Sequence, residues 1–382
     1  MPSSTPKAKI CFVAPWAYGA LALDRAVPFV GGAEVQQSIL APALARRGYG
    51  VSMITMDFGQ PRQSLVQGVR LFKSHAPDAG LPGIRFVYPR LTTLWAALRE
   101  ADADIYYQRS LGALTGLVGA FTRLNNRKFI FAAASDLDVD PESGKIPSWR
   151  DRRLSQYGLR SADAVIVQTA KQRDAFRAKS GRSALIVPSC YKCTGHSASL
   201  KGPILWVGTI KQLKRPQLLL DIAERMPHRQ FVVVGGSYSD DPLYREIRER
   251  AGVLKNVECV GHVHFADIEE QFDGGSILVN TSSSEGFPNT FLQAWARGMP
   301  TVSFFDPQIH LDGAPVNISA KDMESMVRAI DDCLDSPDEW NKRSKLVRTY
   351  YERNHSVERA CDEYERLIEQ LVAETRWSFA NQ

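Results

Sequence analysis

Short apolar runs alternate along the chain with longer stretches in which apolar residues recur every three or four positions. Runs such as KICFVAPW, GVSMITM and KFIFAAAS are typical of buried strands, and GGAEVQQSILAPALARRGY is typical of an amphipathic helix. Strands that alternate with helices in this way predict α/β units built on parallel sheets.

The alternation occurs twice. The first series of strands runs from KICFVAPW through DIYYQR, KFIFAAAS and AVIVQT to ALIVPS, and the second runs from ILWVGTI through QFVVVGG, VECVGHV and SILVNTSS to PTVSFF. CYKCTGHSASLKGP, between the two series, has no hydrophobic period and predicts a linker. We therefore expect two Rossmann-like domains, 1–190 and 200–359, with a last helix at about 360–382 that packs back on the first domain.

Composition narrows the class of protein. The 382 residues contain no apolar run of about 18 positions that could span a bilayer. The first apolar run is too short for a signal peptide, so we expect a cytoplasmic protein. The net charge of +5 is too mild for a nucleic-acid-binding protein, and no basic-aromatic RNA motif occurs. It suits an anionic small molecule, or an anionic membrane surface where the charge is concentrated.

The six cysteines are scattered and predict no disulfide framework. Cys190 and Cys193 form a single C-x-x-C without a second pair. Two unpaired thiols near the linker are therefore favoured over a zinc site or a redox pair, and we expect no metal and no cofactor.

Ligands of open α/β sheets bind at the carboxyl ends of the strands, and the two predicted domains would face one cleft with these ends. Three loops there hold candidate residues. In the first loop, Gly31 and Gly32 open a helix that has Glu34 in its first turn. Glycines and free helix amides accommodate a phosphate, although the same pattern also occurs in ordinary turns.

In the second loop, Gly208 ends a predicted strand, and Pro216 suits the first position of the following helix. Three cations stand between them: Lys211, Lys214 and Arg215. They suit a leaving diphosphate, and the alternative is a solvated basic loop.

The third loop is EGFPNTFLQ. Pro288 is predicted as the first residue of a helix, which would leave the next three backbone amides free for an anion; these belong to Asn289, Thr290 and Phe291. Glu285 can accept hydrogen bonds from hydroxyl groups, and Gln293 offers both a donor and an acceptor. The alternative is a helix-capping Glu285 and a buried structural Gln293.

These motifs resemble those of the family-4-type retaining glycosyltransferases, which have the GT-B fold. In that family a strand–G–R–x4–K loop binds the donor diphosphate and an E–x7–E motif binds the donor. The resemblance covers most of the chain, most strongly about 203–305, and extends to VGGAEVQ and VECVGHV. It implies that Lys214 binds the diphosphate, Glu285 the hydroxyls of the transferred sugar, and Gln293 the ribose.

The chain departs from the family pattern at three positions. Thr209 stands where relatives usually have the diphosphate-binding arginine, so we expect Arg215 to replace it. Gln293 is neutral where relatives usually have an acid. Ser135 and Asp136 replace a His-Asp pair, and Asp136 is expected to bind a sugar hydroxyl or to handle a proton.

The resemblance implies metal-independent transfer, with retained anomeric configuration, from a UDP- or GDP-sugar to a glycan or lipid-linked acceptor. A basic-aromatic surface of the first domain is expected to contact the inner face of the membrane, with a solvated helix face as the alternative; it comprises Trp95, Arg109, Trp149, Arg150, Arg152 and Arg153. Two other functions stay open. One is a nucleotide-sugar 2-epimerase of the same architecture, and the other is a non-catalytic nucleotide-sugar-binding protein.

Overall fold

The structure is a computed structural model, and it describes residues 6–27, 30–140, 146–192, 195–237, 241–283, 285 and 287–380. The chain forms two compact units. The N-terminal unit comprises Met1–Cys190 together with Val357–Gln382, and the C-terminal unit comprises Tyr191–Ser356.

The N-terminal unit contains an eight-stranded sheet in the order β3-β4-β2-β1-β5-β6-β7-β8. Its strands are β1 Lys9–Val13, β2 Gly50–Thr55, β3 Gln63–Val66, β4 Val69–Lys73, β5 Ile105–Arg109, β6 Lys128–Ala132, β7 Ala164–Val167 and β8 Leu185–Ile186. Its helices are α1 Tyr18–Ala22, α2 Gly32–Arg46, α3 Thr92–Ala101, α4 Ala113–Leu124, α5 Trp149–Ser161, α6 Ala170–Ser180 and the C-terminal α12 Val357–Ala380. Every strand pair described in this sheet is parallel except the β3–β4 hairpin at its edge.

The C-terminal unit contains a parallel six-stranded sheet in the order β11-β10-β9-β12-β13-β16. Its strands are β9 Ile204–Val207, β10 Phe231–Val234, β11 Val257–Gly261, β12 Ile277–Asn280, β13 Thr301–Ser303 and β16 Ile318–Ser319, and a separate hairpin pairs β14 His310–Leu311 with β15 Ala314–Pro315. Its helices are α7 Pro216–Arg225, α8 Pro242–Val253, α9 Asn289–Trp295, α10 Met323–Leu334 and α11 Pro337–Asn354. The predicted α/β fold class of parallel sheets and helices is confirmed.

Helix α12 follows the C-terminal unit in the chain but packs in the N-terminal unit. Its residues Ile368 and Leu371 lie in the same core as β1. The Tyr364 and Tyr107 hydroxyls are 3.2 Å apart. Arg47 Nη1 lies 2.5 Å from an Asp362 carboxylate oxygen. No helix in the described part of the chain is both long and apolar enough to cross a bilayer.

Two parts of the fold differ from the sequence-based expectation. The pattern of FADIEEQFDGG predicts a helix of ordinary type, and Phe265–Phe272 instead forms 3-10 turns. The β3–β4 hairpin was not predicted, because its four-residue first strand carries little hydrophobic signal. Its two-residue turn depends on Gln67 and Gly68, which have φ of 51° and 82°.

Candidate functional site

Strands β9 and β12 are neighbours in the C-terminal sheet, so the loops that follow their carboxyl ends lie side by side. The Thr281 hydroxyl donates to the Lys214 carbonyl at 2.7 Å. The Ser283 amide donates to the Leu213 carbonyl at 3.0 Å. The second and third predicted loops therefore form one surface at the carboxyl end of this sheet.

A lysine and a glutamate meet on this surface although 71 positions separate them. Lys214 Nζ contacts Glu285 Oε1, and the two side chains are 28% and 11% exposed. The same oxygen accepts a hydrogen bond from the Ser282 hydroxyl at 2.6 Å and lies 3.5 Å from Asn280 Nδ2. The bonds that Glu285 makes to described residues all reach Oε1.

Arg215 links the two loops by hydrogen bonds. Its Nε donates to the Thr281 carbonyl at 2.7 Å and its Nη2 to the Ser282 carbonyl at 3.0 Å. Its backbone lies in the left-handed region, with φ of 46°, immediately before α7. Pro216 is the first residue of α7, as the sequence predicted. A guanidinium group has five N–H donors, and these two bonds to described residues use two of them.

The loop around Gly208 and Thr209 continues the pairing of β9 with β10. The Gly208 amide donates to the Val234 carbonyl at 3.0 Å, and the Ile210 amide donates to the Gly236 carbonyl at 2.9 Å. A Cβ atom at Gly235 would lie 1.9 Å from the Gly208 carbonyl oxygen. Glycine is therefore required at 235, a position that the sequence analysis did not single out.

The third loop differs from its prediction in two respects. Pro288 is the N-cap of α9 with extended backbone, not its first helical residue. The Phe291 amide donates to the Pro288 carbonyl at 3.0 Å, so the prediction that this amide is free for an anion is wrong. A turn that closes three residues back satisfies a donor that sequence reasoning leaves open. Asn289 and Thr290 are half-buried at the start of this seven-residue helix.

Gln293 lies on the buried face of α9, with 7% of its surface exposed. Its backbone carbonyl accepts a hydrogen bond from Arg297 Nη1 at 3.2 Å. Arg297 is itself fully buried, with ion pairs to Glu269 at 2.8 Å and to Asp273 at 2.9 Å. No spacing in the sequence identifies this network, because Glu269 and Asp273 precede Arg297 by 28 and 24 positions.

In the N-terminal unit, Gly31 is the N-cap of α2 and Gly32 is its first residue. A Cβ atom at Gly31 would lie 2.4 Å from Glu34 Oε2, so the glycine leaves room for the carboxylate. Burial raises the pKa of the Glu34 carboxyl above its usual value, and the positive charge of Arg109 acts in the opposite direction.

Arg109 was predicted to be exposed on an acceptor surface, and that prediction is wrong. It ends the central strand β5, is 9% exposed, and donates from Nη2 to the Ser189 hydroxyl at 3.2 Å. Trp95 is also half-buried, because its ring packs edge-on against Phe121 at 5.2 Å. Arg152 is half-buried as well, whereas Trp149 is 73% exposed.

Asp136 follows β6 and is held by α6. Its carboxylate accepts from Lys171 Nζ at 2.8 Å and from Gln172 Nε2 at 2.9 Å. The preceding Ser135 is the N-cap of the short 3-10 turn Asp136–Val139. The nearby Asp138, which the sequence analysis missed, is fully buried. It accepts hydrogen bonds from three backbone amides, those of Leu111, Ala134 and Ser135.

The described residues contain neither an activated Cys190 thiol nor a group of side chains arranged to bind a metal ion. Burial raises the pKa of the Cys190 thiol to about 12, and an un-ionised thiol is a poor nucleophile. Cys193 lies outside the described residues. Among the residues that the structure describes, no group of three or more His, Cys, Asp or Glu is arranged to hold a metal ion.

Comparisons with known proteins match both units. A family model described as "Glycosyl transferase 4-like domain" matches residues 31–190, and one described as "Glycosyl transferases group 1" matches residues 201–336. A phosphatidylinositol N-acetylglucosaminyltransferase subunit from Arabidopsis thaliana is 26% identical over 351 residues, which cover 84% of this chain and 76% of that protein.

O-antigen biosynthesis glycosyltransferase WbnH of Escherichia coli is 27% identical over 114 residues, which are 30% of this chain and only 31% of that relative's length. The solved structure of a sucrose-phosphate synthase from Thermosynechococcus elongatus has a TM-score of 0.75 at 18% identity, and the match covers 96% of this chain and all of that one. The two glycosyltransferase models together match most of the chain, and the protein belongs to the family-4-type glycosyltransferases with the GT-B fold.

Proposed function

We propose that this glycosyltransferase moves a sugar from a nucleotide-sugar donor, a UDP- or GDP-sugar, to a glycan or lipid-linked acceptor in polysaccharide or glycoconjugate biosynthesis. The reaction retains the anomeric configuration and needs no metal. The observation that carries the proposal is the contact between Lys214 and Glu285 at the carboxyl ends of β9 and β12.

The cations of this surface suit the leaving group. A nucleoside diphosphate gains negative charge as its bond to the sugar breaks, and fixed cations in a partly dehydrated site stabilise that charge. Lys214 is a compact ammonium group with most of its surface covered. Arg215 is fixed by two carbonyl groups and retains further N–H donors. Gly208 and Thr209 lie at the start of the same loop and are assigned to the donor phosphates.

Glu285 is assigned to the sugar. Oε1 is occupied by Lys214 and the Ser282 hydroxyl, whereas Oε2 can accept from a sugar hydroxyl. A bound diphosphate competes with Glu285 for the Lys214 ammonium group. Donor binding would then weaken the contact between Lys214 and Glu285. The negative charge of the carboxylate would be less neutralised by the lysine, and it would lie beside the reacting sugar, where positive charge develops.

The remaining assignments rest on position and on the family resemblance. Asn289, Thr290 and Gln293 are assigned to the nucleotide side of the donor. In the N-terminal unit, Gly31 and Gly32 are assigned to phosphate, and Asp136 to a sugar hydroxyl or a proton.

The acceptor class is supported by the names of the relatives. One is named for phosphatidylinositol and the other for O-antigen biosynthesis. A lipid-linked glycan, met at the inner face of the membrane, would agree with both.

The test is incubation of the protein with UDP-, GDP- and ADP-sugars carrying a labelled sugar, together with a total lipid extract, with and without EDTA. We expect label in the lipid or glycan fraction for one donor, an unchanged rate in EDTA, and an anomeric configuration, read by NMR, equal to that of the donor. Tight donor binding without turnover would identify a binding protein instead. Interconversion of the free donor would identify an epimerase, and loss of activity in EDTA would overturn metal independence.

A further inference from the structure

We propose that the N-terminal unit binds the surface of an anionic phospholipid bilayer through a docking surface made of two neighbouring segments. The first is the loop 81–88, and the second is the exposed face of α5. Membrane binding would bring the enzyme to a lipid-linked acceptor, and only this consequence rests on the proposed function.

The loop presents four large apolar side chains to solvent: Leu81, Ile84, Val87 and Tyr88, which are 56–70% exposed. The loop is nevertheless ordered by its own hydrogen bonds. The Arg85 amide donates to the Leu81 carbonyl at 2.9 Å and the Val87 amide to the Ile84 carbonyl at 2.9 Å. Apolar side chains held outward on an ordered backbone are typical of an interaction site.

Helix α5 is fixed with one face outward. A Cβ atom at Gly158 would lie 2.2 Å from the Thr115 carbonyl oxygen, and one at Gly116 would lie 2.3 Å from the Leu154 carbonyl oxygen. The α4 and α5 backbones therefore touch, which determines the buried face of α5.

The opposite face of α5 carries Trp149, Arg153 and Tyr157 at intervals of four residues, and all three are exposed. Aromatic residues with a polar edge are enriched where membrane meets water, and a helix with such a face and arginines lies in that interface.

The two segments form one surface. The Arg150 guanidinium carbon lies 4.1 Å from the centroid of the Phe86 ring, so the first turn of α5 packs against the loop. Trp149 is the residue next to Arg150 and opens the helix, so the loop and the start of α5 are neighbours on the surface of the N-terminal unit.

The charge of the docking surface favours an anionic occupant. Four exposed arginines accompany the apolar residues: Arg85, Arg150, Arg153 and Arg160. Against them stand Asp151, whose carboxylate is 2.8 Å from Arg150, and the exposed Asp78. The excess of positive charge attracts phosphate headgroups, and the apolar groups enter the acyl boundary.

The test is flotation of the whole protein with vesicles of phosphatidylcholine alone and of phosphatidylcholine mixed with phosphatidylglycerol, without any sugar donor. We expect binding to the mixed vesicles only, weakened by added salt. Arg153→Ser should lower the partition coefficient about fivefold, since a basic residue near an anionic surface contributes on this scale. Trp149→Ser combined with Tyr88→Ser should lower it at least tenfold.

Arg123→Ser and Leu124→Ser are the matched controls. Both residues are exposed, Leu124 by 76%; they are the last two residues of α4 and belong to neither segment of the docking surface. We expect vesicle binding to be unchanged in both, and circular dichroism melting confirms folding of every variant.

Equal binding to neutral and anionic vesicles, or no effect of the docking-surface variants, would overturn the proposal. A wild-type dimer that dissociates in the Trp149→Ser/Tyr88→Ser variant, seen by light scattering, would assign the surface to a second copy instead. Sugar transfer to a water-soluble acceptor is measured separately, so a failure of docking and a failure of the proposed function are distinguishable.

Discussion

Each unit contains an acid–lysine pair at the carboxyl end of its sheet, and the two pairs differ in their surroundings. Glu285 and Lys214 are 11% and 28% exposed, and the carboxylate also bonds to Ser282 and faces Asn280. Asp136 and Lys171 are 30% and 75% exposed. The first pair is set between two loops, whereas the second joins a short turn to the surface of α6.

The difference matters because electrostatic interactions strengthen as water is excluded. An exposed ion pair contributes about 0.2–1 kcal/mol and is screened by salt. A half-buried pair at the end of two adjacent strands can act more strongly on a bound diphosphate and sugar. We therefore expect the C-terminal pair to contribute more to the chemistry than the N-terminal pair.

The largest effect is expected for Glu285→Gln. The amide keeps the size of the side chain but removes the charge beside the reacting sugar, so kcat should fall on the order of 10³-fold. Glu324→Gln, at an exposed site in the same unit, is the control and should leave kcat unchanged. A kcat for Glu285→Gln within twofold of wild type, in steady-state transfer assays, would remove Glu285 from the chemistry.

Lys214→Met and Lys171→Met compare the two lysines directly. Loss of the Lys214 ammonium group removes a cation from the leaving diphosphate, and kcat should fall about 10²-fold. Lys171 is largely exposed, so its replacement should change the free energy of unfolding by about 1 kcal/mol or less. Equal losses of kcat in the two variants, measured beside their thermal melting, would contradict the difference between the pairs.

Asp136→Asn tests whether the exposed pair has any catalytic part. A lost charged hydrogen bond to the substrate corresponds to about a tenfold fall in kcat. Lys171→Met is the control for a purely structural effect, because it disrupts the same ion pair without altering the carboxylate. If both variants keep wild-type kcat, Asp136 serves only to hold the turn against α6.

The smallest effect is expected for Gln293→Glu. A charged acceptor binds a ribose hydroxyl pair more strongly than an amide does, so donor affinity should rise about fivefold by isothermal titration calorimetry. The new carboxylate is buried, so the melting temperature without donor should fall. An unchanged donor affinity would leave Gln293 as a structural residue of α9.

The order of strand, loop and helix at the site could be predicted from the sequence. The strand, basic loop and proline-opened helix from Ile204 to Arg225 follow the predicted order, because apolar periodicity and the fixed φ of Pro216 act over a few residues. The prediction at Pro288 was wrong by one position, since the adjacent turn, and not the proline alone, determines where α9 begins.

Contacts between residues far apart in the chain could not be predicted from the sequence. Arg109 is buried because β5 is a central strand of the sheet, and a five-residue segment does not specify its place in the strand order. Arg297 follows α9, and it forms ion pairs with Asp273 and Glu269, which precede it by 24 and 28 positions.

The sequence by itself determined the two series of α/β units, the position of the basic loop and of the loop EGFPNTFLQ after their strands, and the residue types that these loops carry. Only the tertiary structure decided that Lys214 contacts Glu285, that Arg109 is buried while Trp149 is exposed, and that the loop 81–88 lies against α5. The physical reason is that periodicity and turn chemistry act between near neighbours in the chain. Contacts across a sheet depend on which strands and helices become adjacent when the core forms.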